Sequence, residues 1–103
     1  MTTIKQTKVP EPLASILRTH FDVNAFTPDW PMSLQRELRR PESREREQMF
    51  RRQLADAVLH RNLKIEDYEK LTGEDFDTED DLQRWLAEVW KRLYGDRDPR
   101  SEK

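Results

Sequence analysis

The chain has 103 residues, of which 34% are hydrophobic and 39% charged, with 19 basic side chains against 21 acidic ones. That length and apolar content specify one domain with a modest core, and the near-cancelling charge together with three tryptophans favours a folded chain over a disordered one. The absence of cysteine excludes disulfides, thiol catalysis and thiolate zinc sites, and no stretch approaches the roughly 20 apolar residues of a membrane span.

Met1 to Gln6 leads into no apolar run of signal-peptide length, so a cytoplasmic protein is expected. Residues 1–12 read as a flexible N-terminal segment ending at Pro10-Glu11-Pro12, where the second proline suits a first helical turn because its missing N–H is not needed there. Leu13, Ile16, Leu17, His20 and Phe21 then recur at helical spacing and predict a short amphipathic helix. The pattern breaks from Asp22 to Trp30. Thr27-Pro28-Asp29-Trp30-Pro31 reads as a turn whose last proline opens a second helix, Pro31 to Arg39, with a thin stripe of Leu34 and Leu38.

Pro41 punctuates again and begins a helix predicted to run to His60. Its first two turns are polar on every side, supported by the acid-before-base pairs Glu42/Arg46 and Glu47/Arg51, while Phe50, Leu54, Ala57 and Val58 form a face further on. Ile65, Tyr68 and Leu71 mark a fourth helix of about two turns that stops at Thr72-Gly73. The fifth, Thr78 to Gly95, carries the strongest signal: Leu82, Trp85, Leu86, Val89, Trp90 and Leu93 line one stripe, Thr78 and Asp81 form a capping box, and Gly95 supplies the stop. With no sustained period-two alternation, the expected fold is all-α, a single small domain of about five helices over residues 13–95 packed around the C-terminal helix. Residues 96–103 are expected to be a disordered tail.

Function must be sought in charge. Residues 1–64 hold 12 basic and 8 acidic side chains, whereas residues 65–98 hold 5 and 12, so the first part is +4 and the second −7. The two histidines, His20 and His60, have no local acid–base or metal-ligand partner on the same helix face, and no catalytic set, metal site or cofactor is expected. The run Asp75 to Asp81 spaces oxygens like a calcium loop but has Asp80 and Leu86 where that loop needs glycine and glutamate. Arg36, Arg39, Arg40, Arg44, Arg46, Arg51 and Arg52 are a candidate phosphate-contacting stretch for a small regulatory nucleic-acid-binding protein; the interleaved Glu37, Glu42, Glu45 and Glu47 oppose that alternative.

The acidic stretch is the stronger candidate. Nine acids lie between Glu66 and Asp81 against one base, Lys70, and helix capping accounts for about three of them. Glu66, Asp67, Glu69, Glu74, Asp75, Asp77, Glu79 and Asp80 are therefore expected to form a partner-binding surface, with Tyr68 and Phe76 available as aromatic anchors. Such a surface suits a positively charged protein partner, since complementary charge speeds encounter and selects among partners. Phe76 has a second reading, as a staple packing near Leu82.

The short leucine-rich first helix ending in Phe21, the Asp29-Trp30 pair, and Tyr68-Glu69-Lys70-Leu71-Thr72-Gly73 followed by Phe76, Leu82, Trp85-Leu86 and Trp90 together resemble the small helical immunity proteins of bacterial contact-dependent growth inhibition systems. The likeness covers most of residues 13–95 and rests mainly on core aromatics and caps. It implies a cytoplasmic, non-enzymatic toxin inhibitor that binds the C-terminal domain of a cognate toxin, often a nuclease. It implies neither cofactor nor membrane partner, and it transfers no catalytic residues.

Overall fold

A computed structural model describes residues 9–102, so the first eight residues of the segment expected to be flexible, residues 1–12, lie outside the described residues. The chain forms five helices, α1 (Leu13–His20), α2 (Trp30–Leu38), α3 (Arg44–His60), α4 (Ile65–Thr72) and α5 (Glu79–Tyr94), with 3-10 turns at Pro41–Ser43 and Pro99–Ser101 and no strand among the described residues. Its radius of gyration of 13.3 Å matches the approximately 13 Å expected of one compact domain this long. No helix among the described residues is long and apolar enough to cross a membrane.

The apolar stripes lie where their periodicity puts them. Leu82, Leu86, Val89, Trp90 and Leu93 of α5 are buried, facing Phe50, Leu54 and Ala57 of α3 and Ile16 and Leu17 of α1 across one continuous core. Helix α3 shares the centre with α5, because it packs against α1, α2 and α5 and against both 3-10 turns. Thr78 caps α5 as expected, its Oγ1 accepting from the Asp81 amide at 3.1 Å. The Asp81 carboxylate turns instead to Arg84 one helical turn on.

Short helices leave many backbone groups without helical partners, and three glutamines supply them across helix boundaries. Gln53 of α3 accepts from the Leu13 amide at 3.0 Å and donates to the Glu11 carbonyl at 2.8 Å, fixing the start of α1. Gln35 of α2 donates to the Arg92 and Leu93 carbonyls near the end of α5, each at 3.2 Å. Gln83 of α5 donates to the Ala57 and Val58 carbonyls near the end of α3.

Two expectations about the polar segments differ from the structure. Arg46 reaches Glu37 at 3.4 Å rather than Glu42, and the same carboxylate meets His20 Nε2 at 2.5 Å, so α1, α2 and α3 share one polar junction. The segment expected to be a disordered tail is instead seated on α3 through residue 102. Glu102 meets Arg51 Nε at 2.6 Å and Arg97 Nε at 2.5 Å, and the Arg97 carbonyl accepts from the Trp90 indole at 2.6 Å. Its carboxyl pKa is set by opposing effects: burial pushes it up, but the hydrogen bonds from Arg51 and Arg97 outweigh burial and hold it below the ordinary glutamate value. The supposedly solvated second turn of α3 is thus a docking ledge, where Glu47 binds Arg51 at 2.9 Å and accepts from the Tyr94 hydroxyl at 2.8 Å.

Candidate functional site: an acidic rim around an aromatic groove

The site is built on the end of α4. Gly73 closes that helix at φ +82°, which a side chain would resist, and donates to the Glu69 carbonyl at 2.8 Å. Thr72, fully buried, donates its hydroxyl to the Tyr68 carbonyl at 2.8 Å and accepts from the Glu74 amide at 3.1 Å. Its own carbonyl accepts from the Val23 amide at 2.9 Å. This last bond ties the end of α4 to the loop between α1 and α2, so residues 49 apart in sequence become neighbours.

Between the two loops lies an open groove of about 320 Å³ lined by Val23, Phe26, Glu74, Phe76 and Trp85. Its floor belongs to a four-ring cluster in which Phe21, Phe26, Trp30 and Trp85 all approach one another, with centroid separations from 4.9 Å for Phe21–Trp30 to 6.4 Å for Phe21–Trp85. Phe21 and Trp30 are buried, whereas Phe26 is 41% and Val23 49% exposed. Large apolar side chains left in solvent beside a groove are the physical mark of a docking surface.

Of the expected carboxylates, Glu74 lines this groove, and Asp75 and Asp77 flank Phe76 of its lining in sequence. Glu66, Glu69, Glu74, Asp75, Asp77 and Glu79 are exposed and Asp67 is half-buried, and none of these seven has an ion-pair partner among the described residues. Asp80 is also exposed but pairs with Arg61 at 2.7 Å, and Asp81 pairs with Arg84. Exposed pairs of this kind add little stability; their effect is to trim the field at the α5 end of the patch.

Tyr68 requires a correction. Expected at the partner surface, it is fully buried, its ring edge-on to Phe76 at 5.6 Å and its hydroxyl accepting from the Trp85 indole at 2.7 Å. The reason is helical geometry: Tyr68 shares a face with Ile65, Leu71 and Thr72, so orienting those residues inward carries the phenol with them. Burial raises the Tyr68 pKa, so the hydroxyl stays neutral. Phe76 is half-buried and supports the groove wall through Tyr68.

Among the described residues, no group of three or more His, Asp or Glu side chains is placed to hold a metal ion. The arginine stretch divides in two. Arg46 and Arg51 are engaged by Glu37, Glu47 and Glu102, while Arg36, Arg39, Arg40, Arg44 and Arg52 have no carboxylate partner among the described residues. Sequence reasoning missed Val23 and Phe26, which lie in the stretch without periodicity; two apolar residues that no helix face can bury were the available signal.

The fold and site together define a small all-α domain with a charged, aromatic-floored surface. In comparisons with known proteins no family model matches the chain, and no curated protein and no solved structure matches it either.

Proposed function

We propose that this chain is a non-enzymatic immunity protein that neutralises a cognate toxin domain by covering a basic face of it. The observation that carries this reading is the pairing of seven exposed or half-exposed carboxylates, free of ion pairs among the described residues, with a groove whose walls expose Val23 and Phe26. The carboxylates steer a basic partner and select it by charge. The groove supplies the desolvated contact that holds it, taking the aliphatic stem of an arginine or lysine while its cation lies against Phe26 or Trp85 and near Glu74. The resemblance to contact-dependent growth inhibition immunity proteins supplies the class of partner, a toxin C-terminal domain that acts on nucleic acid and therefore presents a basic cleft.

The test is co-expression with the C-terminal domain of a large secreted toxin encoded immediately upstream; absence of such a gene would weigh heavily against the reading. Growth should be rescued, and the two proteins should co-purify. Affinity should fall with added salt and with the combined changes Glu74→Gln, Asp75→Asn and Asp77→Asn. Absence of a complex, or of rescue, would sink the immunity reading. A complex indifferent both to salt and to the triple change would sink the charge mechanism.

A further inference from the structure

At the other end of α5 the charge is reversed. A cleft of about 450 Å³ opens where the end of α2, the Pro41–Ser43 turn and the start of α3 meet the last turn of α5. Leu38, Pro41 and Leu93 form its apolar wall, and Arg39, Arg40 and Arg44 stand around it. A second depression of about 410 Å³ continues from it, shares Arg39 and Arg40, and adds Arg36 and Met32, which is 64% exposed.

None of these four arginines has an ion-pair partner among the described residues. Glu47 lines the cleft, but its oxygens are occupied by Arg51 and by the Tyr94 hydroxyl. The Arg92 and Leu93 carbonyls at the negative end of the α5 dipole are taken by Gln35. Glu37, between Arg36 and Arg39 in sequence, is bound by His20 and Arg46. Of the four acids that the sequence interleaves with this stretch, Glu37 and Glu47 are thus committed elsewhere, while Glu42 and Glu45 are exposed, make no ion pair among the described residues and do not line the cleft; a cationic cluster remains beside apolar surface.

We propose that this cleft binds an organic phosphate of nucleotide size, its phosphoryl oxygens on the guanidiniums of Arg39, Arg40 and Arg44 and its ring system against Leu38, Pro41 and Leu93. Planar guanidinium groups match phosphate geometry with paired donors. The volume lies within the range of about 300–1,000 Å³ usual for small-ligand sites. A compact ligand fits better than an extended nucleic-acid strand, because the basic track does not continue: Arg46 and Arg51, the next arginines along α3, are bound to carboxylates. This site is independent of the toxin-binding reading and stands or falls separately from it.

The experiment is calorimetric titration of the full chain with ADP at low salt, alongside inorganic phosphate and a ten-nucleotide single strand. Saturable one-to-one binding of ADP is expected, with inorganic phosphate competing more weakly. The double change Arg39→Gln with Arg44→Gln should weaken ADP at least about tenfold, whereas Arg52→Gln, which does not line the cleft, should leave it unchanged. Should the double variant melt early, Arg40→Gln alone serves the same comparison. Absence of saturation, a variant of Arg39, Arg40 or Arg44 that folds and binds ADP normally, or a strand that binds far more tightly than ADP would each overturn the proposal, the last in favour of a nucleic-acid surface.

Discussion

The Trp85 indole donates to the Tyr68 hydroxyl at 2.7 Å, a bond that joins α5 to α4. It satisfies the hydroxyl that the inward helix face carries into the core, and its donor is Trp85, alone among the three tryptophans only half-buried. Tyr68→Phe keeps the ring and removes the acceptor. The change should cost about 1 kcal/mol, the usual net worth of one hydrogen bond when the donor left behind belongs to a half-buried side chain, read from the midpoint of urea unfolding. An unchanged midpoint would show that water replaces the phenol freely.

Replacing Glu74, Asp75 and Asp77 by their amides should leave stability within about 0.5 kcal/mol of the parent, because no ion pair among the described residues is lost and like-charge repulsion is relieved. Thermal unfolding of the triple variant checks this. A large destabilisation would mean that these carboxylates serve the fold rather than a partner.

Trp90 is buried, stacks obliquely on Tyr94 at 4.6 Å and donates to the Arg97 carbonyl. Trp90→Ala should cost about 3–5 kcal/mol, as is usual for a buried large aromatic, and should also release the segment after α5. Unfolding gives the first quantity; amide exchange across residues 96–102 gives the second.

Glu102 makes acid sensitivity local. Its folded carboxyl pKa lies below the ordinary value of 4.5, so its contribution is fully present above that value and is lost as pH falls through the folded pKa. Exchange protection of residues 96–102 should therefore fall with acidification below about pH 4.5, and Glu102→Gln should remove that pH dependence. If the variant keeps the same acid profile, another carboxylate controls the transition.

The two glycines differ in what surrounds them. Both have positive φ, but a Cβ on Gly73 would lie 3.1 Å from Val23 Cγ2, whereas one on Gly95 would meet nothing within 4 Å. Gly73→Ala should therefore destabilise more than Gly95→Ala, the latter costing about 1 kcal/mol from backbone strain. Gly73→Ala should also displace the Val23 wall of the groove. Comparative melting of the two variants decides it.

Sequence periodicity by itself determined the five helices, because burial of an apolar stripe at 3.6-residue spacing is a local property of the chain. It placed α5 and its Thr78 cap to within a residue and made glycine the stop of α4 and α5. It also located the excess of acid, since two short helices and a loop cannot bury so many carboxylates. Only the tertiary structure decided which neighbours each polar group meets. Tyr68 turned inward because its helix face does, and Glu102 was drawn onto α3 by Arg51, 51 residues away in sequence. Val23 and Phe26 joined Phe76 and Trp85 because one bond from Val23 to Thr72 clasps two loops. The acidic rim was therefore legible in composition, whereas its aromatic floor and the arginine cleft at the far end of α5 were not: each is assembled from segments whose proximity is a consequence of packing and leaves no periodic trace in the chain.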